Sequence, residues 1–170
     1  LDRLTNSLQG IAKDAKVQVE FNPEVVASYR LIGYENRAVA DQDFRNNAVD
    51  AGELNSGHNA TALYQVQLRP GARGKIATVF LRWQDIQTLE VRELSGDFNS
   101  WDLAGSFESA SPRFQMNAVV AEYAEILRRS PYTETSLRDL APWGQYLATR
   151  LPTDLDVIEL SQLIAKAARL

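Results

Sequence analysis

The sequence predicts an α+β fold: an antiparallel β-sandwich or sheet of about five strands, followed by three C-terminal helices. Three observations predict it. Apolar and polar residues alternate at period two in short runs between residues 16 and 94, the pattern of half-buried strands. From Ser111 onward the apolar period lengthens to that of an amphipathic helix. Strands gathered first and helices after exclude an alternating α/β chain.

The elements follow in order. Leu1, Leu4, Leu8 and Ile11 recur at helical spacing and Gly10 offers a stop, so residues 1–10 read as a helix left from a domain junction. Val17, Val19 and Phe21 then alternate with Lys16, Gln18 and Glu20. That predicts a strand with the first set on a core and the second in water. Asn22-Pro23-Glu24 is turn chemistry, and Val25 to Tyr34 returns as a second strand. Its alternation is less clean, which fits burial on both faces or a bulge near Gly33. Residues 35–57 are polar and form the longest loop.

Thr61–Leu68 resumes as a strand, and Pro70-Gly71 with Gly74 marks a turn. Lys75–Trp83 and Thr88–Leu94 are the next two strands, joined around Gln84 and Asp85. Ile76, Thr78 and Phe80 face one way, and Ala77, Val79, Leu81 and Trp83 the other. The sheet therefore occupies 11–95, and 96–170 is a helical region expected to pack on it.

In that region Ser111-Pro112 is an N-cap followed by proline at the first helical position. Met116, Val119, Val120, Tyr123, Ile126 and Leu127 form the stripe of this helix, with Glu122 and Glu125 on its wet face and Arg128 and Arg129 in its last turn. A second helix covers Ser136–Arg150, which Pro142 must kink or begin. Asp154 caps a third, with Val157, Leu160, Leu163, Ile164 and Ala167 on one face.

Composition narrows the function classes. Of 170 residues, 45% are hydrophobic, enough for a folded core. Lys and Arg number 18 against 22 Asp and Glu, with both signs interspersed and no basic stripe, which argues against nucleic acid as a partner. No apolar run approaches the length of a membrane span. The chain opens on Leu1 rather than Met and reads as an excerpt of a longer protein.

Five blocks carry a resemblance: IAKDAKVQVEFNP (11–23), YRLIGYENR (29–37), Asp43-Phe44, VDAGE (49–53) and GHNATALYQV (57–66). A sixth, from Ser109, reads SASPRFQMNAVVAEYAEILRRSPY. Together they resemble the region just downstream of the von Willebrand factor type A domain in a bacterial YfbK-like family. The resemblance implies a non-catalytic companion of that domain at the cell envelope, with a structural or protein-recognition role. The partners it implies are the upstream type A domain of the same polypeptide and an unidentified protein. The type A domain's own D-x-S-x-S cation string is absent, since Phe107 stands two residues before Ser109-Ala-Ser111 where the aspartate belongs.

The remaining candidates are binding residues. Asp41, Asp43, Asp50 and Glu53 crowd one loop, but an EF-hand counted from Asp41 meets Arg45, Asn46 and Gly52 where it needs an oxygen, a glycine and a glutamate. A solvated or capping loop is expected, with no metal and no cofactor. His58 is the only histidine and lies two residues after Ser56. No orienting acid or oxyanion site accompanies them, and a histidine at a strand start is the plainer reading. Of Trp83, Trp101 and Trp143, Trp101 has polar neighbours and is the surface candidate for stacking on a sugar. Carbohydrate binding through such exposed aromatics is the alternative function. Asn59-Ala-Thr61 matches the glycosylation sequon, incidental in a bacterial chain.

Overall fold

The structure, a computed structural model, describes residues 10–33, 41–49, 51–56, 59–133 and 135–169. The chain divides into two compact units, Leu1–Leu103 and Ala104–Leu170. The first holds six strands in two antiparallel sheets and the second three helices, so the α+β class holds with one strand more than expected.

In the first unit β1 (Gly10–Phe21), β3 (Gly52–Asn55), β5 (Lys75–Asp85) and β6 (Val91–Asn99) form a sheet in the order β3-β1-β5-β6. A separate ribbon pairs β2 (Val26–Ile32) with β4 (Leu63–Leu68). The helix expected over 1–10 falls mostly outside the described residues, but Gly10 and Ile11 open β1 and are not helical. The strand β3 was hidden in the polar stretch, where pairing to β1 makes a strand of a sequence with little β propensity of its own. β6 ends at Asn99, past the expected limit of 95.

The β1–β2 turn is built as its residues foretell. The Asn22 side chain accepts from the Glu24 N–H at 3.0 Å, and its carbonyl accepts from Val26 at 2.8 Å. The Asn22 N–H donates to Ile76, fastening the turn to β5. Val25, Val26, Ile76 and Ala77 form the buried cluster beside it, flanked by Val19, Phe21, Val66 and Leu68. Phe21 stacks on Tyr29, centroids 4.1 Å apart, and meets Tyr64 edge-on.

In the second unit α1 (Pro112–Leu127), α2 (Leu137–Arg150) and α3 (Leu155–Ala167) form one layer, with α2 packed against both others. Ser111 caps α1, Ser136 and Asp139 form a capping box on α2, and Asp154 caps α3. Pro142 lies inside α2, which runs on through it to Arg150, so it does not begin the helix. Met116, Val119, Leu140, Leu147, Val157 and Ile164 make the core, and Leu147 and Ile164 are wholly buried. The stripes are narrower than the sequence implied: Val120, Leu127 and Leu163 are exposed, because each outer helix meets only one close neighbour. Glu125 is no wet-face residue. It is buried, paired with Arg128 at 2.8 Å and accepting from the Ser130 hydroxyl at 2.7 Å.

Candidate functional site

Within the acidic stretch, the segment 41–49 is held by a cation that belongs to the chain itself. A bulge in β1 at Asp14, whose φ is +49°, shifts the register between Lys13 and Lys16. Lys16 then lies under the segment 41–49, where its ammonium donates to the Asn46 carbonyl at 2.7 Å and the Asp43 carbonyl at 3.4 Å. Only 5% of Lys16 is exposed. This reverses the expectation that Lys16 faces water.

Phe44 is buried in the same segment and meets Phe80 edge-on at 6.3 Å. The Arg45 guanidinium spans both rings and pairs with Glu93 at 2.8 Å, while Arg82 joins Glu93 to the Asn47 side chain. Hydrogen bonds from Arg45, then its charge and that of Arg82, hold the Glu93 carboxyl below the usual glutamate range. A small cavity of about 100 Å³ lies among Asp14, Lys16, Asn47, Arg82, Trp83, Gln84 and Val91.

The sequence candidates do not converge here. Asp41 opens a short 3-10 turn ending at Asp43, and Glu53 is exposed on β3. Asp50 and His58 lie outside the described residues. Among the described residues no group of three His, Asp or Glu could hold a metal ion.

The opposite face of the sheet is apolar and open. Val17, Leu81 and Leu94 stand directly across from one another, as do Val19, Val79 and Gly96, and Phe21, Ala77 and Phe98. The two-stranded ribbon covers the end at Phe21 and Ala77. Beyond it Val17 is 57% exposed, Leu94 62% and Val79 38%. The alternation in β1 was therefore legible, and Val19 and Phe21 meet the buried cluster as expected with Glu20 exposed, but Lys16 and Val17 have exchanged places. β6 is an outer strand, exposed at every position but its last.

Trp101 is 71% exposed, as its polar neighbours foretold. It sits on a braced turn: the Ser100 N–H donates to Gly74, the Ser100 hydroxyl accepts from the Gly74 N–H, and the Asn99 N–H donates to the Asp102 carboxylate at 2.8 Å. In the second unit Trp143 meets Phe107 and Tyr146 edge-on, and a groove of about 450 Å³ runs past Glu108, Asp139, Pro142, Trp143 and Tyr146. Lys16, Leu94 and this groove escaped the sequence reading. For Leu94 the period-two pattern carried the signal; for Lys16 nothing local did. Among the described residues no helix is long and apolar enough to cross a membrane.

Comparison with known proteins places these surfaces in a family. No solved structure matches the chain. A protein of Escherichia coli strain K12, described as uncharacterized protein YfbK, is 32% identical over an alignment of 150 residues that covers 79% of this chain. The matched region is 26% of that relative, so the chain spans about a quarter of its length. The model of the family described as uncharacterized protein YfbK, C-terminal, matches residues 6–170. The chain thus belongs to the YfbK C-terminal family.

Proposed function

We propose that this chain is a non-catalytic docking region whose open apolar sheet face seats another folded domain of the same polypeptide. The observation that carries the reading is the row Val17, Leu81 and Leu94: apolar on all three strands, with both ends exposed. A contiguous exposed apolar face marks an interaction surface more often than a stable free surface. The charged face of the same sheet is partly covered, around Lys16 and Phe80, by the chain's own segment 41–49, whereas the apolar row offers its surface to a partner.

The seated domain in this reading is the type A domain that the sequence resemblance sets upstream. The chain's span of about a quarter of its relative leaves room for one. Its role is then structural and protein-recognising, at the cell envelope, with any cation chemistry residing in the neighbour. The decisive experiment joins this chain to the upstream domain and compares thermal unfolding of the joined and separate proteins. Mutual stabilisation that Leu94→Lys removes, while the separate chain melts as before, is the expected outcome. Stabilisation untouched by Leu94→Lys, or none at all, refutes the docking face.

A second reading rests on Trp101, a ring exposed on a braced turn, as a stacking surface for a sugar. It requires fluorescence changes with cell-wall glycans that Trp101→Ala abolishes. A panel without response removes it.

A further inference from the structure

The groove in the helical unit has the chemistry of a cation site. On α2, Asp139, Pro142, Trp143 and Tyr146 fall at i, i+3, i+4 and i+7, one stripe of a helix face. The segment before α1 brings Glu108 to the same groove. That segment is held from inside: the Gln115 side-chain amide, 2% exposed, lies within 3.0 Å of the Phe107, Glu108 and Ala110 carbonyl oxygens. Phe107 in turn packs edge-on against Trp143 at 4.9 Å. Loop and helix are thus locked together, and the groove is preformed.

Its walls discriminate between ligands. Trp143 and Tyr146 stand at 86° to one another, 6.0 Å between centroids, a corner of rings and not a coplanar platform. The charged groups lining this groove are two carboxylates, which when ionised only accept. Glu108 is held in that form, its carboxyl lowered by its own backbone N–H and by the Ser106 hydroxyl. Tyr146 already takes a guanidinium, since Arg150 lies over its ring at 5.8 Å and donates to its hydroxyl; Arg150 is not among the groove's walls. Apolar walls with an acidic rim suit a long aliphatic stem ending in a cation.

We propose that the groove lined by Glu108, Asp139, Pro142, Trp143 and Tyr146 binds a lysine or arginine side chain presented by a peptide segment of a protein partner. This goes beyond the docking face of the first unit and does not depend on it.

The test is a titration of the isotope-labelled whole chain, read by NMR at the Trp143 indole and at residues 108 and 139–146. The probes are N-acetylated, C-amidated Gly-Lys-Gly and Gly-Arg-Gly, with Gly-Gln-Gly, butylammonium chloride and a chitin trisaccharide beside them. Saturable shifts with the two basic peptides are expected, with Gly-Gln-Gly inert and butylammonium weaker. Glu108→Gln, on an exposed side chain, should weaken binding by about fivefold, the upper end for an exposed charge pair. Three outcomes overturn the proposal: equal shifts with Gly-Gln-Gly, preference for the trisaccharide or the free amine, or unchanged binding in Glu108→Gln with an otherwise unaltered spectrum.

Discussion

The Lys16 ammonium donates to the Asn46 carbonyl at 2.7 Å across thirty residues of sequence. The two carbonyls it takes, of Asp43 and Asn46, are the kind of oxygens a calcium loop would turn toward metal. In this chain the Lys16 ammonium takes both. An acidic loop that suggests metal binding is therefore organised by a lysine on a neighbouring strand.

Lys16→Met should accordingly cost about 1.5–3 kcal/mol, the worth of a hydrogen bond from a charged donor. Hydrogen exchange at Asn46 to Val49 should quicken at the same time, because the segment loses its anchor. Urea unfolding gives the first quantity and exchange by NMR the second. A variant as stable and as protected as the parent would show that the buried ammonium is incidental.

Gly144 faces α3 from within α2, and a Cβ there would stand 3.5 Å from the Ser161 Cα and 3.6 Å from the Ile164 Cδ1. Those are ordinary contacts. Gly144→Ala should thus stabilise the helical unit by about 0.5–1 kcal/mol through helix propensity. Gly144→Val adds two more carbons beside the same backbone and should cost about 1–3 kcal/mol as overpacking. Thermal melts of the two variants check the pair, and destabilisation by alanine would mean a tighter helix approach than the distances allow.

Asp154 is held below the ordinary aspartate range by the Arg113 guanidinium first and by the Val157 N–H second. The folded state favours its ionised form. Its contribution to stability is therefore complete above the ordinary value, about pH 3.9, and is lost as pH falls through the lowered one. Asp154→Asn keeps a capping oxygen and drops the charge. The stability gap between parent and variant should be widest at neutral pH and close below about pH 4. Denaturant melts at a series of pH values measure it, and a gap constant down to pH 2 would contradict the assignment.

Much of this was legible in the chain because it depends on neighbours in sequence. Ser111-Pro112 and Asp154 begin their helices where such residues must, since a cap satisfies N–H groups within its own turn. Asn22-Pro23-Glu24 turns for a similarly local reason. The exposure of Trp101 followed from Asn99, Ser100 and Asp102 around it. The family blocks were legible too, being strings of sequence.

Which face of β1 is buried was legible at Val19 and Phe21 but not at Lys16 and Val17. Period two separates Val17 from Lys16, but which set meets protein depends on what folds over each face, and that is a long-range matter. Here the segment 41–49 brings Phe44, Arg45 and two carbonyls onto the charged side, and nothing in the described structure covers the row at Leu94. The groove at Trp143 is likewise tertiary, because Glu108 reaches it only through the Gln115 clasp. The sequence by itself determined that strands precede helices, the helix caps, the turn at Asn22 and the family, all read from local chemistry. The tertiary structure alone decided which surfaces remain for partners, because burial is a property of what comes to lie against a face.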